Sequence, residues 1–379
     1  MNFSKWTLGL MSAAILLSAC GKDEDDTTPD TQAGVNCEAD EYCFTDGDGN
    51  ATVSYDGQIA RLNQMEELTS YMKEANTAGI SVSAATMKEM FSNNSGNGST
   101  HFSSQASISG KQLKNKCFLG TVNLYEAYMD SLDLISQNSG VGSNGTAGIV
   151  TSTANPDKKY LLNARGQEYT QMIEKGLMGD VFYYQAIETY IAGVEAGTYD
   201  NSTTLEGKAY TEMEHKFDEA FGYFGAPQDF LVSPANARFH AKYCNSRNDV
   251  LETNDAIFNA FIGARTNISS DDLAAAQIDI DDIRLQWHRV VAGTAISYLK
   301  GAIQNMDDPA IKCHELSEAY AFIGNLLHNA PYNLSPNQMQ IARDYIGGNF
   351  YEASTEDIES AIQYLIDNTE ITIEELADL

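Results

Sequence analysis

From Gln58 onward the apolar residues recur every three or four positions, and this pattern restricts the chain to helices more firmly than any other feature. Ile59, Leu62, Met65, Leu68 and Met72 make one such stripe, with Glu66, Glu67 and Lys73 between them. The same spacing predicts helices over 82–91, 111–137, 167–194, 209–224, 235–243, 254–264, 280–305, 311–328, 336–345 and 354–379. The 167–194 segment is apolar on more than one side, through Met172, Leu177, Phe182, Tyr183, Ile187 and Tyr190, as suits a helix central in a bundle. The chain has only 7 Pro, so long helices are not interrupted. Segments 92–110 and 138–155, rich in Ser, Asn, Gly and Thr, read as exposed loops. Ahead of the helices, Tyr42-Cys43-Phe44 and Thr52-Val53-Ser54-Tyr55 flank Asp46-Gly47-Asp48-Gly49-Asn50 and predict a short hairpin. That turn resembles the start of a calcium loop, but Ala51 and Gly57 stand where an EF-hand needs Gly and Glu. The expected fold class is all-α, packed helical bundles with a short N-terminal β-hairpin.

The first twenty residues carry an address. Lys5 precedes the apolar run 8–19, which is too short to span a bilayer but fits a signal peptide. The run ends Leu17-Ser18-Ala19-Cys20, the form of a bacterial lipoprotein box. The expected organisation is therefore a signal peptide over 1–19, a lipidated acidic tether over 20–41 and a helical domain over 42–379, in one bundle or two. Lipid on Cys20 would attach the protein to the outer membrane. Lys22-Asp23-Glu24-Asp25-Asp26 resembles the export tag of surface lipoproteins, so a surface-exposed location is expected, with the periplasmic face as the alternative. Export implies an oxidising compartment. Cys37 and Cys43 are close enough to staple a loop, and two of Cys117, Cys244 and Cys313 are free to pair, leaving one over.

The formal net charge is −30, from 23 basic and 53 acidic residues, which excludes nucleic acid as a partner. Residues 21–60 carry −10 and residues 351–379 carry −9, so the helical body between them is only mildly acidic and a cation site there must be local. The densest polar cluster is Glu212-Met213-Glu214-His215-Lys216-Phe217-Asp218-Glu219. On a helix, Glu212, His215, Asp218 and Glu219 fall three or four apart, so one face could clamp a divalent metal or hold His215 against an acid. Glu212-x-x-His215 is also half of a di-iron motif, but the second copy is missing. Cys313-His314-Glu315-Leu316-Ser317-Glu318 begins like a zinc-peptidase motif, yet Glu318 stands where the second histidine belongs, and the segment reads as an ordinary polar helix turn. Gly140-x-Gly142-x-x-Gly145 lies in a polar loop without the strand and helix that a dinucleotide site requires. Arg238-Phe239-His240 and Trp287-His288-Arg289 are two further polar groups that a fold could bring to one pocket.

Several stretches together resemble the family known as domain of unknown function 4856. They are Tyr55-Asp56-Gly57-Gln58 through Arg61-Leu62, Gly110-Lys111-Gln112-Leu113-Lys114, Glu174-Lys175-Gly176-Leu177-Met178-Gly179, the run 213–225 and His314-Glu315-Leu316-Ser317-Glu318-Ala319. The resemblance spans about residues 42–350, and the 213–225 run is its most distinctive part. It implies an envelope lipoprotein with a link to imelysin-like helical bundles and outer-membrane receptors, and so to iron or haem acquisition. Imelysin-like proteins carry Gly-x-His-x-x-Glu; here Met213 and Asp218 replace the Gly and the Glu around His215. The functional expectation is a non-enzymatic accessory factor that binds iron, haem or another divalent metal, or a TonB-dependent receptor or other outer-membrane protein. The alternatives are a scaffold subunit of an outer-membrane complex and a metallopeptidase built on His215, Asp218 and Glu219.

Overall fold

The computed structural model describes residues 36–38, 40–94, 100–103, 110–138 and 140–379; the expected signal peptide, Cys20 and the expected tether as far as residue 35 lie outside the described residues. The helices are α1 (Asp56–Lys73), α2 (Ala84–Ser92), α3 (Val122–Ser136), α4 (Tyr169–Leu177), α5 (Ala192–Glu195), α6 (Glu212–Phe224), α7 (Phe239–Ser246), α8 (Asn248–Leu251), α9 (Thr253–Ser269), α10 (Leu273–Gln304), α11 (Pro309–Asn325), α12 (Pro336–Ile346), α13 (Thr355–Asn368) and α14 (Ile373–Asp378). The fold is all-α, as the periodicity predicts.

Local sequence sets the helix ends. Thr211 with Glu214, Ser335 with Gln338, Ser354 with Asp357 and Thr372 with Glu375 form capping boxes, each satisfying two backbone N–H groups at a helix start. Pro309 and Pro336 sit in first turns, where no N–H is needed. Gly225 ends α6 at φ +87°, a conformation that glycine adopts without strain.

Three segments differ from expectation. The predicted 111–137 helix is broken: a 3₁₀ turn over Lys114–Lys116 leads into α3 only at Val122. The break is pinned from outside, since Phe118 N donates to the Asp180 carbonyl at 2.7 Å and Gln185 Nε2 to the Lys116 carbonyl at 2.8 Å. The Asp46–Asn50 turn forms and is closed by a single bridge from Thr45 to Ala51, whereas the two-stranded antiparallel ladder is β1 (Gly148–Thr151) with β2 (Lys159–Leu162). β1 arises inside the segment read as a loop, because Ile149 and Leu161 bury side chains against the helices. Last, the 354–379 helix is two helices, α13 and α14, separated at Thr369–Thr372.

The central element is α10, which packs against α7, α9, α11 and α13. Trp287 on α10 is fully buried, with Phe224, Phe261, Tyr183 and His240 rings around it. His240 and His288 are packed as neutral core imidazoles, burial pushing them down to about 3 and about 4. They do not share a pocket with Arg238 and Arg289: Arg238 pairs with Glu66, and Arg289 with Glu375.

The long apolar helix predicted over 167–194 is regular only through Leu177. It widens into π-helix over Met178–Tyr183 and Gln185–Ile191 before closing into α5. Such widening re-aims side chains and is found often at functional sites. Here it directs Asp180, Tyr183 and Glu188 at the loop after α11. His328 Nε2 donates to Asp180 at 2.7 Å, Asn329 Nδ2 to the Tyr183 hydroxyl at 2.6 Å, and Asn329 N to Glu188 at 2.6 Å. Gly179 lies directly under the Asn325 amide, which donates to the Lys175 carbonyl at 3.0 Å, and a Cβ at Gly179 would overlap it. Gly179→Ala is expected to cost about 1–3 kcal/mol, read as a lower denaturation midpoint at unchanged slope.

Candidate functional site

The face of α6 does not form one clamp. Glu212 turns to the preceding loop and accepts from Asp200 N at 3.2 Å. His215 is half-buried, stacks on Tyr210 and shares its Nδ1 proton with the Ser54 carbonyl at 3.0 Å. Asp218 is fully buried and accepts from Arg265 Nε at 2.8 Å, Tyr42 Oη at 2.8 Å and Ser54 N at 3.2 Å. Glu219 accepts from Gln58 Nε2 and Lys216 Nζ, each at 2.8 Å. His215 and Asp218 thus grip the two sides of one residue, Ser54, and the run 213–225 serves to dock the N-terminal segment. Tyr42 stacks on Phe221 at 3.7 Å, and Gly222 lets Tyr55 and Gln58 approach where a Cβ would meet them at 2.8 and 2.9 Å. Among the described residues no three His, Cys, Asp or Glu side chains come together as a metal-holding group.

Arg265 completes this docking. Its Nη1 donates to Glu214 at 2.7 Å, its Nη2 to the Thr52 carbonyl at 3.2 Å, and its plane covers the Phe44 ring. Burial pushes the Glu214 carboxyl up, but Arg265 and the donors Thr211 N and Ser269 Oγ outweigh it and hold the group below its usual range.

A second set of buried titratable groups lies where α4 faces α11. Both helices are apolar enough to pack, yet each turns acids and bases to the seam. His314 Nδ1 donates to Glu168 Oε2 at 2.6 Å, and Nε2 lies 3.4 Å from Glu318 Oε2. The imidazole stacks on Tyr160 from β2, with ring centres 4.1 Å apart. From Glu318 the charges alternate: Lys175 at 3.5 Å, Glu174 at 3.0 Å from Lys175, and Lys73 of α1 at 3.4 Å from Glu174. The Tyr243 ring lies beneath the Lys175 ammonium, and its hydroxyl meets that of Tyr298 at 2.9 Å.

Two groups in this seam are strongly perturbed. Burial works against a charged His314, but the Glu168 carboxylate and its hydrogen bond prevail, and the imidazole is raised to about 9. Glu315, on the next position, is raised to about 7, first by burial and then by Glu318. With both ring nitrogens turned to carboxylates, His314 stands as an imidazolium and offers no lone pair to a metal. Glu168 Oε1 is buried without a hydrogen-bond partner, so the cluster has one acceptor in reserve. Chemically the seam stores a proton at neutral pH.

In sequence, 313–318 reads as an ordinary polar helix turn, and nothing in it points to Glu168. The available signal was the coincidence of Glu174-Lys175 and His314-Glu315-Leu316-Ser317-Glu318 within the resemblance; their pairing across 140 residues needed the fold. The cysteines follow the expectation only in part. Cys37 and Cys43 are bonded, but Cys117, Cys244 and Cys313 are all free and buried in separate parts of the core, so none of them pairs.

No curated protein and no solved structure matches the chain. A family model does match, over residues 39–340, and this span holds α6, the Arg265 docking cluster and the whole α4–α11 seam. The chain belongs to the family described as Domain of unknown function (DUF4856).

Proposed function

We propose that this protein is a lipid-anchored outer-membrane protein that acts by binding, as a non-enzymatic accessory factor in the uptake of iron, haem or another metal. The observation that carries the reading is the sequence Leu17-Ser18-Ala19-Cys20 behind a signal-peptide run and ahead of an acidic tether. The Cys37–Cys43 disulfide where that tether meets the helical body is in keeping with an oxidising compartment. The fixed partners of Asp218 and Glu219 favour a role through contact with a receptor over a resident metal at His215. Cys20→Ser is the test in cells. The variant is expected to leave the membrane fraction, to lose acyl label, and to lower cellular iron under iron limitation as a deletion does. A variant that still sediments with membranes and takes up acyl label would exclude the anchor. Normal metal content in the deletion strain, together with an outer-membrane protein that co-purifies with the unaltered chain, would favour the scaffold reading.

A further inference from the structure

A recess of about 170 Å³ opens between α3, α4, α11 and α12, away from the charged seam on the same helix pair. Most of its wall is apolar or aromatic, from Leu124, Tyr128, Met172, Leu327 and Met339. Arg343 of α12 enters it. The guanidinium is fixed: Nε and Nη2 donate to the Tyr320 carbonyl at 3.0 and 2.8 Å, and the plane stacks 4.1 Å over the Tyr320 ring. Gly324 supplies the room, since a Cβ there would overlap Nη2. Among the described residues Arg343 has no carboxylate partner, and Nη1 is not used in this anchoring. The recess also holds Asp180, but its two oxygens are engaged by His328 Nε2 at 2.7 Å and the Tyr125 hydroxyl at 2.5 Å. Gly176 lets that tyrosine reach across, where a Cβ would meet the hydroxyl at 2.6 Å.

We infer that this recess is a binding site for a small organic monocarboxylate with a single-ring or branched apolar body, its carboxylate on Arg343 and its body against Met172 and Met339. A cavity of about 150 Å³ accommodates a benzene ring, so the space fits such a body. A fixed arginine without a carboxylate partner in a chain of net charge −30 suits an anion, because the guanidinium still has the Nη1 side of its planar fork to offer. Asp180 does not invite a cationic ligand group, since each of its oxygens is already engaged by a donor of the protein. This site goes beyond the proposed role in metal uptake and does not rest on it.

Calorimetric titration of the full-length protein with benzoate, benzamide and benzylamine tests the assignment. Benzoate is expected to bind saturably and about tenfold more tightly than benzamide, with benzylamine weakest. Methionine methyl NMR should show benzoate shifting Met172 and Met339. Arg343→Met should reduce benzoate to the level of benzamide, and Arg343→Lys, which keeps the charge without the fork, should fall between. Gly324→Ala, which displaces the guanidinium, should act like Arg343→Met while leaving its charge in place. Equal binding of benzoate and benzamide, tighter binding of benzylamine, undiminished benzoate binding by Arg343→Met, absence of saturable benzoate binding, or binding that leaves Met172 and Met339 unmoved would each overturn it.

Discussion

Replacing Arg265 with methionine is expected to lower stability by about 3–5 kcal/mol, the range for removing one partner of a buried ion pair. Arg265 and Asp218 are both fully shielded from solvent in their side chains, at 0% and 0% exposure. Without the guanidinium, Asp218 keeps only Tyr42 and Ser54 as donors, and Glu214 loses its Nη1 contact. The loss falls on one place, the attachment of residues 42–54 to α6 and α9. The melting temperature should therefore drop by on the order of 10 °C, and proteolysis near the Cys37–Cys43 loop should accelerate before the body opens. Adding Asp218→Asn and Glu214→Gln to Arg265→Met should recover part of the loss, because the uncompensated charges go with it. A single variant melting within about 1 kcal/mol of the parent would show that the aromatic stack of Tyr42 on Phe221 is sufficient for docking.

The stability of the chain should fall as pH rises from about 4.5 to about 9. Glu315 has an ordinary value of 4.5 and is raised to about 7 in the fold, so the native state alone holds its proton in that window. His314 has an ordinary value of 6.5 and is raised to about 9, so its contribution is complete below 6.5 and lost as pH passes through about 9. In both cases the native state binds more protons than the unfolded state, and stability decreases with pH. Each shift corresponds to about 3 kcal/mol, and the two do not simply add, since the groups face each other and Glu318. Below 4.5 the slope reverses as carboxylates held low, Glu214 and Glu174 among them, are protonated. Denaturation midpoints measured across pH should peak near pH 4.5, where the two slopes meet. His314→Gln should flatten the upper half of the profile, and Glu315→Gln the lower half. A profile flat between pH 5 and pH 9 (a window set by these two groups) would show that the seam is open to water.

Much of the fold was legible because its signals are local. The stripe from Ile59 to Met72 needs nothing beyond its own spacing to announce α1, and Thr211 with Glu214 marks the start of α6 within four residues. Most of what differs from the sequence reading comes from distant partners. Nothing near Phe118 foretells that Asp180 will take its N–H and stop a helix, and nothing near Ile149 shows that the β ladder will lie on helices. The widening after Leu177 depends on what the Asn325–Asn329 loop brings to it. The same limit applies to the sites. The periodicity of α6 places Glu212, His215, Asp218 and Glu219 along one strip, but Asp218 belongs to Arg265, 47 residues on, and Glu219 to Gln58, 161 residues back. In the sequence Arg343 is one arginine between Ala342 and Asp344; only the backbone of Tyr320 beside it makes a fixed receptor.

Cys117, Cys244 and Cys313, the free thiols among the described residues, give the molecule a clock. Burial pushes Cys244 and Cys313 up to about 12, and Cys117 higher still, so at neutral pH each is a closed thiol with almost no reactive thiolate. They lie apart on the chain, Cys117 between the 3₁₀ turn and α3, Cys244 on α7 and Cys313 on α11. Disulfide exchange with Cys37 or Cys43 must wait for a region to open, and the wait differs for each thiol. The rate at which a thiol reagent marks each one reports how often its own neighbourhood opens, without any label introduced by hand.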